Sequence, residues 1–388
     1  MRIFVITSRV PWPLEKGDKL RIYHQLSELN KRHEIILCCL NDQHIHPDTS
    51  KELSKICTEF HVFNLKKIGI AFQFIQALFS SKPFQVHYFY QTSIRKKIHK
   101  LIELKKPDVI YSQLIRTSEY VKHIHHIPKV IDYMDTFSKG MSRRIKDAKF
   151  PFKIILQNEA KRLKDYENLI FDYFEFHSII SKQDRSFIAH NKRNEIKVIP
   201  NGINKEFFRP TPKEKKYQLL FTGNMNYPPN VEGAMYIIQK ILPLVWKTHP
   251  QTKIMIAGAN PNIKLKALHS EKVNIIGWMD DIRDAYNSSD VFIAPMNIGT
   301  GLQNKLLEAM SMKMPCVTSK LANNALGAEE NKDILIGNKA EEYASHIITL
   351  LENKEIAKEI AQQGQNYIHQ NFSWENATKS LEDILKLK

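Results

Sequence analysis

No apolar run in this 388-residue chain approaches the ~20 residues a membrane-spanning helix needs, which argues against an integral membrane protein of the helical kind. The opening segment, MRIFVITSRVPWP, is too short for a secretory leader and is interrupted by Arg9 and Pro11; it is expected to be a first strand. Cysteine is scarce. Cys38, Cys39, Cys57 and Cys316 are the only four, and no CxxC or Cys/His spacing occurs. That favours small buried thiols in a reducing cytosol over a disulfide framework or a metal site. No G-x-G-x-x-G follows a strand-like run, which argues against an NAD-linked dehydrogenase. There is no fixed-period repeat and no low-complexity tract.

What is present is a globular composition, 43% hydrophobic and 25% charged. The length exceeds what one core usually fills, so two domains are expected. Strand-like runs alternate with helical patterns throughout. In the first half the strands are expected at Ile3–Thr7, Ile35–Leu40, His61–Asn64, Val109–Ser112, Val130–Tyr133, Ser178–Ser181 and Ile196–Ile199. In the second they are expected at Leu219–Thr222, Ile254–Ala257, Val273–Ile276, Val291–Ala294, Cys316–Ser319 and Ile334–Ile336. Helical patterns such as Arg21–Lys31, Val231–Thr248 and Glu341–Gln363 lie between them. This alternation predicts an α/β fold with parallel sheets, one Rossmann-like series per half. Pro200, Pro210 and Pro212 punctuate the join, placing one domain at 1–200 and the other at 201–371, with a final helix in 372–388 opened by Ser373.

The charge is lopsided. Residues 1–200 hold 35 Lys and Arg against 21 Asp and Glu, a surplus of 14, whereas 201–388 hold 22 against 20, a surplus of 2. Either the first half has a solubilising basic surface, or it meets an anionic partner such as lipid headgroups. Nucleic acid is not expected, because no binding motif accompanies the charge. Between Lys66 and Lys100, a dense apolar stretch (Ile68, Ile70, Phe72, Phe74, Ile75, Leu78, Phe79) is flanked by lysines and Arg95. It suits either an interfacial helix touching a membrane or a helix buried against the first sheet.

The most informative stretch is Val291–Ser319, VFIAPMNIGTGLQNKLLEAMSMKMPCVTS. It reads as strand, glycine loop, helix from about Leu302, and second strand. A glycine loop at a helix start offers unpaired N–H groups and the positive end of the helix dipole, which together hold phosphate. Glu308 in the same helix can accept hydrogen bonds from a sugar diol. Phosphate and diol together describe a nucleotide or nucleotide-sugar site.

The pattern G-T-G-x-x-x-K-x-x-E-A-M over Gly299–Met310, followed by Met314-Pro315-Cys316-Val317, resembles the donor-binding motif of the retaining GT-B glycosyltransferases of the group 1 family. Those enzymes usually carry an acid eight residues before Glu308, where this chain has Thr300. They also carry Gly-Arg and Lys-Gly pairs at the start of the second domain. This chain instead reads Gly223-Asn224 within G-x-M-x-Y-x-P-N, with no Lys or Arg before Lys240. The resemblance implies GT-B architecture: two Rossmann-like domains facing across a cleft, with the last helix packing back on the first domain.

The resemblance also implies a donor site formed by Gly17, Gly223, Asn224, Trp278, Gly299, Thr300, Gly301, Leu302, Gln303, Lys305 and Glu308. Lys305 takes the place of the missing cations. Trp278 either stacks on the base or packs between domains. Gly17 lies in the loop Pro11–Arg21, whose plain alternative is a surface loop with a helix cap at Asp18. Val198–Ile203 looks like the family's V-I-P-N-G connector, read as a hinge turn at Asn201-Gly202. Near the acceptor, Asp132 or Asp135 follows the strand at Val130, and Asp135 joins Lys305 and Glu308 as the catalytic set. No metal or cofactor is implied, which agrees with the lack of a D-x-D motif in a fitting loop. His123, His125 and His126 lack supporting carboxylate or cysteine spacing and are read as surface or packing residues.

The expected function is therefore retaining transfer of a hexosyl group from a nucleotide-diphosphate sugar to a lipid-linked or polysaccharide acceptor in cell-surface glycan synthesis. The expected location is the cytoplasm, either free or peripheral to the membrane's inner face. The alternatives are a non-catalytic nucleotide-sugar-binding scaffold and a nucleotide-sugar epimerase on the same fold.

Overall fold

The computed structural model describes residues 1–145, 148–211, 213–298 and 302–387. Gly299, Thr300 and Gly301 of the expected phosphate loop therefore lie outside the described residues. The chain forms two compact units, Met1–Asn201 with Trp374–Lys388, and Gly202–Ser373.

The first unit is built on seven strands: β1 (Arg2–Thr7), β2 (Glu34–Asn41), β3 (Glu59–Asn64), β4 (Val109–Gln113), β5 (Lys129–Asp132), β6 (Phe176–Ile179) and β7 (Lys197–Val198). Their order across the sheet is β3-β2-β1-β4-β5-β6-β7, and every neighbouring pair is parallel. Helices cover both faces, so the strands read as unbroken apolar runs rather than as alternations. Phe4, Ile6, Ile36, Cys38 and Leu40 enter one core; Ile3, Val5, Ile35, Leu37 and Cys39 enter the other. The adjacent thiols Cys38 and Cys39 thus face opposite ways, and all four cysteines are free and buried.

The helix Trp374–Leu385 sends Ala377, Leu381, Ile384 and Leu385 into the second of these cores. Glu382 fixes it further by accepting from Arg32 at 2.6 Å and pairing with Lys386 at 2.6 Å. The hydrogen bond from Arg32 holds its carboxyl down to about 2.

The second unit carries β8 (Tyr217–Thr222), β9 (Ile254–Ala257), β10 (Val273–Ile276), β11 (Ser289–Ala294), β12 (Cys316–Thr318) and β13 (Leu335–Ile336). Their order is β10-β9-β8-β11-β12-β13, again all parallel. In both sheets the winding reverses beside the first strand, between β1 and β4 and between β8 and β11. Open parallel sheets bind ligands outside the carboxyl ends of the strands at such a reversal.

Several local expectations are corrected. The helix expected over Val231–Thr248 is Pro228–Tyr236, a π-helical segment Ile237–Ile241, and Leu242–Val245. Pro243 has no N–H to give the Gln239 carbonyl, so the α register fails there. The pattern read as one helix over Glu341–Gln363 is two, Ala340–Glu352 and Lys354–Asn371. The side chain of Asn353 accepts from the Ile356 amide at 3.1 Å and starts the second.

The stretch near Lys66–Lys100, read as a helix either interfacial or buried against the first sheet, is three helices, Lys67–Leu78, Phe84–Phe89 and Thr92–Lys105. Only the last buries an isoleucine stripe, Ile94, Ile98 and Ile102. Asp18 does not cap its helix, which starts at Gly17 after Lys16; its carboxylate instead pairs with Arg9 at 2.5 Å. Asn201-Gly202 forms no positive-φ turn; the Asn201 side chain accepts from Arg21 at 2.9 Å.

Candidate functional site

At the reversal of the second sheet, β8 ends in Thr222 and turns sharply at Gly223, whose φ is +151°. Next to it β9 ends at Gly258, with φ +138°. A Cβ on Gly258 would stand 2.0 Å from the Gly223 carbonyl oxygen, so the two turns are in backbone contact. The Gly223 amide donates to the Ala257 carbonyl at 3.0 Å, and the Met225 amide donates to the Ala259 carbonyl at 2.7 Å. The following loop is held by its own side chains. Asn224 Oδ1 accepts from the Asn226 amide at 3.0 Å, and the Asn224 carbonyl accepts from Asn230 Nδ2 at 2.9 Å.

The motif helix spans Asn304–Ser311, two residues later than expected, with Gln303 as its extended N-cap and Leu302 buried before it. Lys305, in its first turn, points inward. Its ammonium donates to Asn230 Oδ1, lies 3.8 Å from Met296 Sδ and sits 4.6 Å from the centroid of the Phe221 ring. A Cβ on Gly223 would come within 3.1 Å of Lys305 Nζ. Burial lowers the Lys305 amine to about 7, and Glu308 one turn on opposes that shift.

Glu308 accepts from the Tyr286 hydroxyl at 2.8 Å, and Tyr286 shares a second hydrogen bond with Thr222 at 2.9 Å. Burial raises the Glu308 carboxyl to about 7; the hydrogen bond from Tyr286 and the charge of Lys305 pull the other way. Of the expected donor residues, the structure brings Gly223, Asn224, Lys305 and Glu308 together, with Leu302 and Gln303 leading into the same helix. Trp278, beyond the end of β10, has 63% of its surface exposed and is not packed into a core. Phe221, Thr222, Asn230 and Tyr286 complete the arrangement and were not singled out as site residues. Tyr286 lies in a separate short helix, Arg283–Asn287, which no motif marks.

In the first unit, Asp132 is fully engaged. It takes Arg21 Nε at 2.7 Å, Ser178 Oγ at 2.9 Å and the Tyr111 hydroxyl at 3.2 Å, with both partners of the ion pair completely buried. Asp135, two residues on and past the positive-φ Met134, is different. Its Oδ1 is buried without a hydrogen-bond partner, and burial together with nearby Asp184 raises its carboxyl to about 8.

The opposing charge that acts on it is that of Arg116, which the sequence did not mark. Its guanidinium lies 4.7 Å from the Phe137 ring and 5.2 Å from the Phe89 ring, and donates to Gln85 Oε1. Burial, with Arg9 close by, lowers Arg116 to about 10. Gly17 faces this loop: a Cβ there would meet the Met134 methyl at 3.1 Å. Among the described residues, no group of three or more His, Cys, Asp or Glu side chains is placed to hold a metal. His123 packs edge-on against Tyr173 at 5.6 Å.

The chain is similar over 98% of its length, and 98% of the relative's, to a 44.6 kDa protein of the Klebsiella pneumoniae cps region, at 25% identity. It is also 25% identical to the Escherichia coli UDP-Gal:alpha-D-GlcNAc-diphosphoundecaprenol alpha-1,3-galactosyltransferase, over 66% of this chain and 70% of that one. Among solved structures, it superposes on Anabaena HepE in complex with UDP and glucose with a TM-score of 0.72 at 15% identity, over 100% of both chains. With sucrose-phosphate synthase from Thermosynechococcus elongatus the TM-score is 0.73 at 13% identity, over 99% and 98%. These likenesses establish the fold as GT-B. The family model for glycosyl transferases group 1 matches residues 216–353, the segment that contains Gly223, Tyr286, Lys305 and Glu308. Residues 216–353 thus match a group 1 glycosyltransferase domain, within a chain whose fold is GT-B.

Proposed function

We propose that this protein transfers a hexosyl group, with retention of anomeric configuration, from a nucleoside-diphosphate sugar to a lipid-linked or growing-glycan acceptor in cell-surface polysaccharide assembly. The observation that carries the reading is the buried Lys305 ammonium, held between Asn230, Phe221 and the Gly223 turn at the reversal of the second sheet. A diphosphate seated against that turn and the start of the Asn304 helix meets a cation and backbone N–H groups where negative charge grows as the sugar–oxygen bond breaks. Its arrival offsets the burial that discourages Lys305 from carrying a proton. Glu308, aimed by Tyr286, accepts hydrogen bonds from the ribose diol.

The departing diphosphate takes up the proton of the attacking hydroxyl, so no dedicated base is required. We assign the acceptor to the carboxyl ends of the first sheet, where the Asp135 carboxyl keeps its proton near neutrality beside the Arg116 guanidinium. Support for a lipid-linked acceptor comes from the E. coli relative, whose name specifies a diphosphoundecaprenol substrate, and from the cps-region relative.

The test is direct. Purified protein is screened against common nucleotide sugars by thermal shift. The best donor is then incubated with a polyprenyl-diphosphate sugar, and the product anomer is read by NMR. An α-linked donor giving an α-linked product supports the reading. An inverted product, or donor binding with neither transfer nor hydrolysis, overturns it.

A further inference from the structure

The helix Lys67–Leu78 is arranged opposite to an ordinary surface helix. Its buried positions are Gln73 and Ala77, and Gln73 Oε1 is 3.0 Å from His87 Nδ1. Ile68, Phe72, Ile75 and Phe79, spaced as one helical stripe, are exposed, Ile68 at 86% and Phe79 at 89%. A second exposed apolar segment stands beside it. The helix Phe152–Phe171 buries Glu159, Leu163, Tyr166 and Ile170, and this stripe continues outward to Ile155 and Phe152, both more than half exposed.

The two segments are tied together. Arg162 donates to the Ala77 carbonyl at 2.7 Å, and Glu159 accepts from the amides of Phe84 at 2.8 Å and Gln85 at 3.2 Å. Phe152 and Ile155 lie about 6–10 Å along the helix axis from Glu159. Isolated apolar residues on a surface are ordinary, but a paired stripe of this extent is not.

The surrounding charge identifies the occupant. No Asp or Glu occurs from Leu65 to Ile102, nor from Ala148 to Asn158. Lys66, Lys67, Lys149 and Lys153 are all exposed at the rims of the two segments. Aromatic and aliphatic side chains rimmed by exposed lysines complement an interface of acyl chains below and anionic headgroups above. We propose that these two helices form one face that docks on an anionic lipid bilayer, inserting the Ile68–Phe79 stripe and the Phe152 turn while the lysines engage phosphates.

The experiment is flotation of the full-length protein with vesicles of phosphatidylcholine alone or of equal parts phosphatidylcholine and phosphatidylglycerol, at low and high salt. The expected result is flotation with the anionic vesicles at low salt, weakened by salt and absent with the neutral ones. Phe72→Ser/Phe79→Ser and Phe152→Ser/Ile155→Ser each lower the partition coefficient at least about tenfold, and Lys66→Glu/Lys67→Glu removes the preference for anionic vesicles. Melting curves confirm that the variants fold; the substituted positions are exposed, so unchanged melting is expected. Absence of flotation at low salt, or variants that float like the wild type, overturns the proposal. So does a wild-type dimer dissociated by the same substitutions without flotation, which assigns the face to a second copy. Transfer to a water-soluble acceptor analogue stays unchanged in all these variants, so this test and that of the proposed function fail separately.

Discussion

The Tyr286 hydroxyl reaches Glu308 across 22 residues of sequence and bonds it at 2.8 Å, so the carboxylate of the motif helix is aimed from a different helix. Deleting either member is informative. Glu308→Ala is expected to weaken nucleotide-sugar binding by about 1–3 kcal/mol, and Tyr286→Phe by about half that, because it misdirects the acceptor without removing it. Isothermal titration with the best donor checks both; two variants that bind like the wild type would place the ribose elsewhere.

Lys305 and Glu308 both titrate near neutrality. The amine is lowered to about 7 and the carboxyl raised to about 7, chiefly by burial. The ammonium is present below that point and the carboxylate above it. Donor kcat/KM should therefore describe a bell centred near pH 7, with apparent values belonging to the pair. Glu308→Gln should flatten the acid limb. Lys305→Met should flatten the alkaline limb and lower the whole profile about a hundredfold. A monotonic wild-type profile would contradict these assignments.

Asp135 makes stability depend on pH in a stated direction. Its carboxyl is raised from 3.8 to about 8 on folding, so the folded state binds the extra proton. The stability it contributes is complete below about pH 4 and is lost as pH rises through 8, at no more than about 1.4 kcal/mol per unit. Asp135→Asn removes that loss. Urea midpoints at pH 5 and pH 8 should differ less in this variant than in the wild type; an equal difference would mean that Asp135 titrates normally.

Gly258 and Gly17 make a controlled pair. Gly258→Ala puts a methyl 2.0 Å from a backbone oxygen at φ +138°, where neither the contact nor the dihedral is tolerated. A loss of about 3–5 kcal/mol is expected. Gly17→Ala meets only the movable Met134 methyl at 3.1 Å, and less than about 1 kcal/mol is expected. Chemical denaturation of both variants tests the difference.

The fold class was legible because both sheets are parallel and covered on two faces. A run such as IILCCL cannot be a half-exposed strand, and its alternation with helical patterns specifies the winding. Boundaries failed where one residue overrides a periodic pattern: Pro243 inside a helix, or Asn353 capping a new one within an apolar repeat that continues past it. Around the site, the spacing from Gly299 to Met310 marked Lys305 and Glu308, since residues one turn apart share a helix face. It could not reveal Tyr286 or Asn230, which meet that helix only after β8 and β11 lie side by side. Asp132 and Asp135 look alike in sequence. Arg21, 111 residues earlier, together with Tyr111 and Ser178, separates a saturated carboxylate from one with a bare oxygen.

The return of Trp374–Leu385 to the unit that begins at Met1 orders biogenesis. A ribosome synthesises all of 202–373 before it makes the helix that roofs the core beneath Ile22 and Leu26. The apolar floor of the first unit therefore stays uncovered until translation has passed Leu385.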